Sequence, residues 1–280
     1  MLPFWLSIAV LSLVQGVVVA LPSPRAVASL VRLRARLRSP WWAAVPPASV
    51  VGFVFVARAA EHASGQALTY LALVAVPLLA ALALGWFVWG ARGPRPAATL
   101  FAAPLFALAW ADQGGLAGEG AAVALSALSC VALGTLLGAV TPARWLVIGI
   151  VLMAAADTAL VVSDLLQRPN DVLNAAHPAA QLPRLQSAVF GDAVMGYGDL
   201  FVAGLLGGLL AALGDRARQL RGALLVAALA LGFDLLFFAV DELPATVPVA
   251  LATILSLSSL GAVGLQRDGR HLRRGAAHPR

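Results

Sequence analysis

Three aspartates, Asp157, Asp199 and Asp234, lie inside long apolar runs, and Asp164 lies near the end of the first of these runs. An ionisable residue at the centre of a membrane helix costs about 2.5–3.5 kcal/mol on insertion scales, so such residues usually pair, face a bundle interior or line a watery cavity. Two close carboxyl groups do not both ionise easily, so one keeps its proton. The pair then supplies a base that activates water and an acid that protonates a leaving amide. These residues therefore predict aspartic-protease chemistry.

The composition indicates which elements must hold these acids. The 280 residues are 61% hydrophobic and 11% charged, with a mean hydropathy of +0.89. A soluble domain is about 45–50% apolar and about 25% charged, so ordinary soluble enzymes and disordered or fibrous proteins are excluded. The sequence predicts an all-α polytopic membrane protein with about nine transmembrane helices, forming a single transmembrane domain over residues 1–280. The predicted spans lie near 3–21, 41–60, 68–91, 97–112, 120–140, 144–166, 189–213, 221–240 and 244–265.

The charged residues of the predicted loops indicate the orientation. Nearly all of the arginines fall in alternate segments, 22–40, 91–96, 141–144, 214–221 and 266–280. The short loops between these segments contain Asp or Glu and no arginine. Because basic residues are retained in cytoplasmic loops, this predicts an N-terminus outside and a C-terminus in the cytoplasm. Every basic residue is Arg, in a chain rich in Ala, Leu and Gly, which is typical of a GC-rich bacterial genome. We therefore expect a bacterial cytoplasmic (inner) membrane.

Other features restrict partners and packing. The single cysteine, Cys130, excludes a disulfide framework and a cysteine-based metal site. No basic patch is interleaved with aromatic residues, so no nucleic-acid partner is expected. The small-residue pairs Gly134–Gly138 and Gly204–Gly208 suit close helix contacts, although glycine is also simply common in membrane helices.

The predicted depths bring two of the acids together. Asp157 lies about nine residues before the predicted outer end of the sixth span, and Asp199 about ten residues after the predicted start of the seventh. At about 1.5 Å per residue, both would lie roughly 15 Å below the outer surface. Consecutive spans are antiparallel, so the two carboxyl groups can face each other. The alternatives for any one of these acids are a buried Asp bonded to a hydroxyl or the backbone, and a proton-relay carboxylate in a transporter.

The residues before Asp199 favour the catalytic interpretation. They read Gly196-Tyr197-Gly198-Asp199. Alternate glycines let the backbone deform and approach both the acid and a bound peptide. Irregular backbone at membrane depth is tolerated where it lines a cavity.

Three segments carry a resemblance to a known family. Gly196-Tyr197-Gly198-Asp199 resembles the GxGD motif of intramembrane aspartyl proteases, and Asp157-Thr158-Ala159-Leu160-Val161 resembles the first-aspartate segment of the presenilin and signal peptide peptidase group. Leu243-Pro244-Ala245-Thr246 looks like the PAL motif of that group. The chain departs from the pattern at Ala156, where a Tyr is usual, and at Thr246, the last motif position.

The resemblance implies roles for these residues. Asp157 and Asp199 would be catalytic, Gly196, Tyr197 and Gly198 would form the active-site motif, and Pro244, Ala245 and Thr246 would shape the substrate site. It further implies a presenilin-like bundle that needs no metal or organic cofactor and cleaves single-span membrane proteins or remnant signal peptides in the lipid bilayer. The orientation is similar to that of signal peptide peptidase and would favour substrates with a cytoplasmic N-terminus. The oligomeric state stays open.

Other interpretations remain. Asp164, and after it Asp234, are alternative partners for Asp199. Met195 to Asp199 also looks like the second-aspartate motif of type IV prepilin peptidases, in which Asp164, followed by Arg168-Pro169-Asn170, would be the first acid. From other classes, a proton-coupled transporter could use Asp157, Asp199 and Asp234 as a relay, and a non-enzymatic protein could keep the same fold.

Overall fold

The structure, a computed structural model, describes residues 3–30, 35–59, 61–89, 93–163, 165, 167–240 and 243–257. Helices account for most of this part of the chain, and one β-hairpin interrupts them. The α-helices are α1 Phe4–Ala20, α2 Pro24–Ser29, α3 Val45–Ala59, α4 Glu61–Leu82, α5 Ala102–Ala111, α6 Leu116–Val140, α7 Ala143–Val162, α8 Gln167–Ala175, α9 Tyr197–Ala212, α10 Arg216–Asp234 and α11 Val247–Leu257. Short 3-10 helices cover Pro40–Ala44, Pro96–Phe101, Ala179–Gln181 and Leu235–Phe238, and a π-helical turn, Ala83–Phe87, extends α4.

The membrane character predicted from the composition is confirmed, but the number of spans is not. Among the described residues, four helices are long and apolar enough to cross a membrane: Ala63–Phe87, Leu116–Val140, Ala143–Val162 and Arg216–Phe238. Five shorter apolar helices occupy the other predicted spans: Phe4–Ala20, Pro40–Val56, Pro96–Ala111, Tyr197–Ala212 and Val247–Leu257.

The predicted start of the seventh span near residue 189 is wrong. Strands β1 (Ser187–Phe190) and β2 (Ala193–Gly196) form an antiparallel hairpin there, and the helix begins only at Tyr197. A two-residue loop joins the strands, and its first residue, Gly191, has a φ of 55°, as a type II′ turn requires. Asp199 is therefore the third residue of α9, not the tenth residue of a helix that begins at 189.

The centre of the fold is the contact between α6 and α9. Gly134 and Gly138 of α6 pack against Gly204 and Gly208 of α9, and a methyl group added at Gly134 would overlap the Gly204 carbonyl. Cys130 is fully buried beside this contact. The glycine pairs found in the sequence thus form one interface, which lets the two backbones touch.

Four polar contacts bring several helix ends and the hairpin together at one end of the bundle. Glu119 in the first turn of α6 and Ser7 in the first turn of α1 both bond to the hairpin turn, at Gly191 and Asp192. Ser12 of α1 bonds to the last residue of α10, and Thr246, directly before α11, bonds to α7. The candidate site lies at this end.

Candidate active site

The first acid, Asp157, is held by the segment that opens the last helix. Asp157 lies five residues before the end of α7 and is half-buried. The hydroxyl of Thr246, a side chain that is 1% exposed, donates a hydrogen bond of 2.6 Å to the Asp157 carboxylate. The residue at which the PAL-like motif departs from the family pattern is thus the one that contacts the acid.

The second acid, Asp199, lies in the first turn of α9. Its carboxylate accepts a 3.1 Å hydrogen bond from the Gly196 N–H, as an acid in a first helical turn does when it reaches back to the capping residue. This bond fixes the direction of the carboxylate. Asp157 is near enough for its charge to act on Asp199. The two acids thus lie near each other, Asp157 five residues before the end of α7 and Asp199 in the first turn of α9.

The motif that precedes Asp199 is anchored on both sides. The Tyr197 hydroxyl lies 2.7 Å from the Ser129 hydroxyl of α6, which fixes the start of α9 against that helix. Gly198 faces α7, where a methyl group added to it would lie 3.4 Å from Met153. Gly196 is tighter, because a methyl group there would lie 3.1 Å from the Asp199 carboxylate. A side chain at Gly196 would therefore press on Asp199, whereas one at Gly198 would make an ordinary contact with Met153.

A cavity of about 70 Å³ lies beside Asp199. Asp234, Ser12 and Gln15 supply polar groups to its wall, together with Ala245 of the PAL-like segment. The Ser12 hydroxyl donates a 2.6 Å hydrogen bond to Asp234, and the Gln15 amide donates one of 3.3 Å to the Ala245 carbonyl. Ser12 and Gln15 are each 1% exposed. Helix α1 thus supplies two of the four polar side chains that line the cavity.

The structure brings most of the predicted site residues together. Thr246 bonds to Asp157, and Asp157 lies near Asp199. The cavity is lined by Asp199 together with Ala245 and Asp234. The Pro244 carbonyl accepts a 3.1 Å hydrogen bond from Val247 and so begins the turn into α11. Asp164 lies outside the described residues. Among the residues 3–257 that are described, no group of three or more His, Cys, Asp or Glu side chains could hold a metal ion.

Sequence reasoning missed three polar residues. Ser12 and Gln15 lie on α1 and contact Asp234 and Ala245, and Glu119 accepts a 2.7 Å hydrogen bond from the Gly191 N–H of the hairpin turn. Each is a polar side chain in or beside an apolar run, and that is a signal that could have singled them out.

Comparisons of the chain with protein-family models, curated proteins and solved structures found no match.

Proposed function

We propose that this chain is an intramembrane aspartyl protease that hydrolyses peptide bonds within transmembrane segments or remnant signal peptides. One observation carries the proposal. The carboxyl groups of Asp157 and Asp199, on different helices, interact electrostatically, and Asp157 is bonded to Thr246 at the start of a third helix. Three separate segments thus converge where the resemblance to the presenilin and signal peptide peptidase group predicts the active site.

The reaction needs only the two acids and water. The ionised carboxylate removes a proton from water while the water oxygen bonds to the carbonyl carbon of the scissile peptide. The protonated carboxyl group supports the developing charge and delivers its proton to the amide nitrogen, so that the C–N bond breaks. The products are a new carboxyl end and a new amino end. Thr246 positions Asp157, and the Gly196 N–H positions Asp199.

The hairpin beside Asp199 offers a way to hold an unwound substrate. A peptide bond in a helix already has its carbonyl hydrogen-bonded, so the substrate must unwind before water can attack. Strand β2 ends three residues before Asp199, and in the described part of the chain it pairs with β1 alone. Its outer edge can therefore bind an extended peptide through main-chain hydrogen bonds.

We place all nine apolar helices in the membrane, with the N-terminus outside and the C-terminus in the cytoplasm. The shorter helix α9 supports this placement because nearly all its residues are buried among other helices, so it need not match the bilayer thickness by itself. The proposed location is a bacterial cytoplasmic membrane, and the proposed substrates are single-span proteins with a cytoplasmic N-terminus.

Cleavage of single-span reporters by the purified protein, in both orientations and read by mass spectrometry, tests the proposal. Wild type should release fragments, and both Asp157→Ala and Asp199→Ala should abolish them. Asp171→Ala is the matched control, because Asp171 is an exposed acid on α8 and its loss should leave cleavage unchanged. Equal fragments from all four proteins would show contamination and contradict the proposal.

The same experiment separates the related interpretations. Loss of cleavage in Asp199→Ala but not in Asp157→Ala would transfer the first-acid role to Asp164 or Asp234. Loss in Asp164→Ala would favour the type IV prepilin peptidase-like interpretation.

A proton-coupled transporter is the second candidate, and the cavity favours it. Asp199 and Asp234 both line this cavity, an arrangement that can pass a proton between carboxyl groups. In proteoliposomes with an imposed pH gradient, a transporter would dissipate the gradient, and Asp199→Asn or Asp234→Asn would stop it. Dissipation without any reporter cleavage would favour this candidate over the protease.

A further inference from the structure

The position of Asp234 does not stabilise the helix that carries it. Asp234 lies four residues before the end of the continuous helix Arg216–Phe238, and a negative charge near a helix C-terminus is opposed by the helix dipole. It is nevertheless held in one position, because the buried Ser12 hydroxyl donates to it at 2.6 Å.

The Asp234 carboxyl group is bonded to a hydroxyl and to no cationic side chain in the described part of the chain. A charge that is partly removed from water without a partner is costly, so a positive group that reaches it binds favourably. The helix dipole at the end of α10 favours a cation at the same place.

The rest of the cavity suits an apolar stem. Its walls are apolar apart from Asp199, Ser12, Gln15 and Asp234, and they include Val194, Met195, Phe233, Phe237 and Leu243. A volume of about 70 Å³ holds about five water-sized groups, which is roughly the size of a lysine side chain. Lysine combines an apolar stem with a charged end.

We propose that this cavity is a subsite for a basic side chain of the substrate, a lysine next to the scissile bond, and that Asp234 is the residue that selects it. The proposal rests on the proposed protease function, because Asp199 lines the same cavity and must meet the scissile bond. A lysine adjacent to that bond would place its apolar stem along Phe233 and Phe237 and its ammonium group at Asp234.

The first test compares reporters that differ only in the residue next to the scissile bond, with Lys, Leu or Glu at that position. In wild type, kcat/KM for the Lys reporter should exceed that for the Leu reporter by about 10- to 100-fold, as expected for a desolvated charge pair. In Asp234→Asn the ratio should fall to about one, and in Ser12→Ala it should fall part of the way. Asp171→Asn is the control variant and should keep the wild-type ratio. An unchanged ratio in Asp234→Asn overturns the subsite, and so does the loss of all cleavage in that variant, which would make Asp234 a catalytic partner.

A binding measurement keeps this test independent of catalysis. In the Asp199→Asn background, or in Asp157→Asn where Asp199→Asn fails to fold, a fluorescent Lys reporter should bind about tenfold more tightly than the Leu reporter. Adding Asp234→Asn should remove this difference. Equal binding of both reporters overturns the subsite whatever the protein cleaves. Lys-selective binding by a wild type that cleaves no reporter overturns the protease and leaves the subsite in place.

Discussion

The two sides of Asp199 carry nearly the same local arrangement. On one side, Thr246 donates a 2.6 Å hydrogen bond to Asp157, and on the other, Ser12 donates a 2.6 Å hydrogen bond to Asp234. Both hydroxyl side chains are 1% exposed, and each comes from a different helical segment than its acid. The two acids differ in their relation to Asp199, because Asp157 acts on its charge whereas Asp234 shares a cavity with it. In the proposed protease, the position of each acid relative to Asp199, and not its bond to a hydroxyl, would therefore distinguish a catalytic acid from one that selects the substrate.

The largest effect, and the clearest difference between the two acids, is expected when Asp157 or Asp234 is replaced by its amide. With the Leu reporter, Asp157→Asn should lower kcat about 1,000-fold, because general acid–base catalysis contributes about 10²–10⁴-fold. Asp234→Asn should retain at least about a tenth of wild-type activity on this reporter, since no basic side chain is present to be selected. Single-turnover cleavage followed by mass spectrometry gives both values. The reverse pattern would make Asp234 the partner of Asp199.

Removing each hydroxyl should give the next largest effect. Thr246→Val keeps the shape but loses the bond to Asp157, and a hydrogen bond to a charged group contributes about 1.5–3 kcal/mol. We therefore expect kcat to fall about 10- to 100-fold, with KM nearly unchanged and with activity restored in Thr246→Ser. Ser12→Ala should instead raise KM for the Lys reporter. Steady-state kinetics on both reporters separates the two results, and an equal effect on KM in both variants would contradict the assignment.

A change at Asp199 itself should affect both sides alike. In Gly196→Ala the new methyl group would lie 3.1 Å from the Asp199 carboxylate, which must move by a few tenths of an ångström. Small displacements of catalytic groups are costly, so we expect cleavage of the Lys and Leu reporters to fall by about three- to tenfold together. Gly198→Ala is the matched control, since its methyl group would make an ordinary 3.4 Å contact with Met153. Equal losses in the two variants would argue against this steric explanation.

The smallest effect is expected at an acid far from this site. Asp215 caps α10, and the hydrogen bond from the Arg218 backbone N–H lowers the pKa of Asp215. Because the pKa is lower in the folded state, the stabilisation is present above about pH 4 and is lost as the pH falls through the folded-state pKa. Thermal melting of Asp215→Ala should therefore show a deficit relative to wild type at pH 7 that shrinks at pH 3. The ratio of Lys-reporter to Leu-reporter cleavage should not change. A changed ratio would mean that substrate selection depends on the stability of the whole helix bundle.

Part of the fold could be predicted from the sequence. The apolar runs locate every described apolar helix, because a run of that length has few other stable structures in a membrane. The pairs Gly134–Gly138 and Gly204–Gly208 indicate a close helix contact because small residues four apart share one face. The hairpin at residues 187–196 was missed because its residues are apolar enough to extend the following helix. The turn signal, Gly191-Asp192, was the evidence against that extension.

Part of the site could be predicted as well. The Gly196-Tyr197-Gly198-Asp199 segment is local in sequence, and its bond from Gly196 to Asp199 spans three residues. The contacts between Thr246 and Asp157 and between Ser12 and Asp234 span 89 and 222 residues. No local pattern predicts such pairs, so the sequence left Asp157, Asp164 and Asp234 as alternative partners of Asp199.

Residue type and run length are enough to predict that the chain forms apolar helices of membrane type and that acids lie within them. The tertiary structure was needed to bring Asp157 near Asp199 and to place Asp234 at the cavity beside it. The physical reason is that helices which are apolar on all sides carry no stripe that reveals their inward face. The rotation of α1, α7 and α10 about their axes is set by packing against the other helices, and this rotation places Ser12, Asp157 and Asp234.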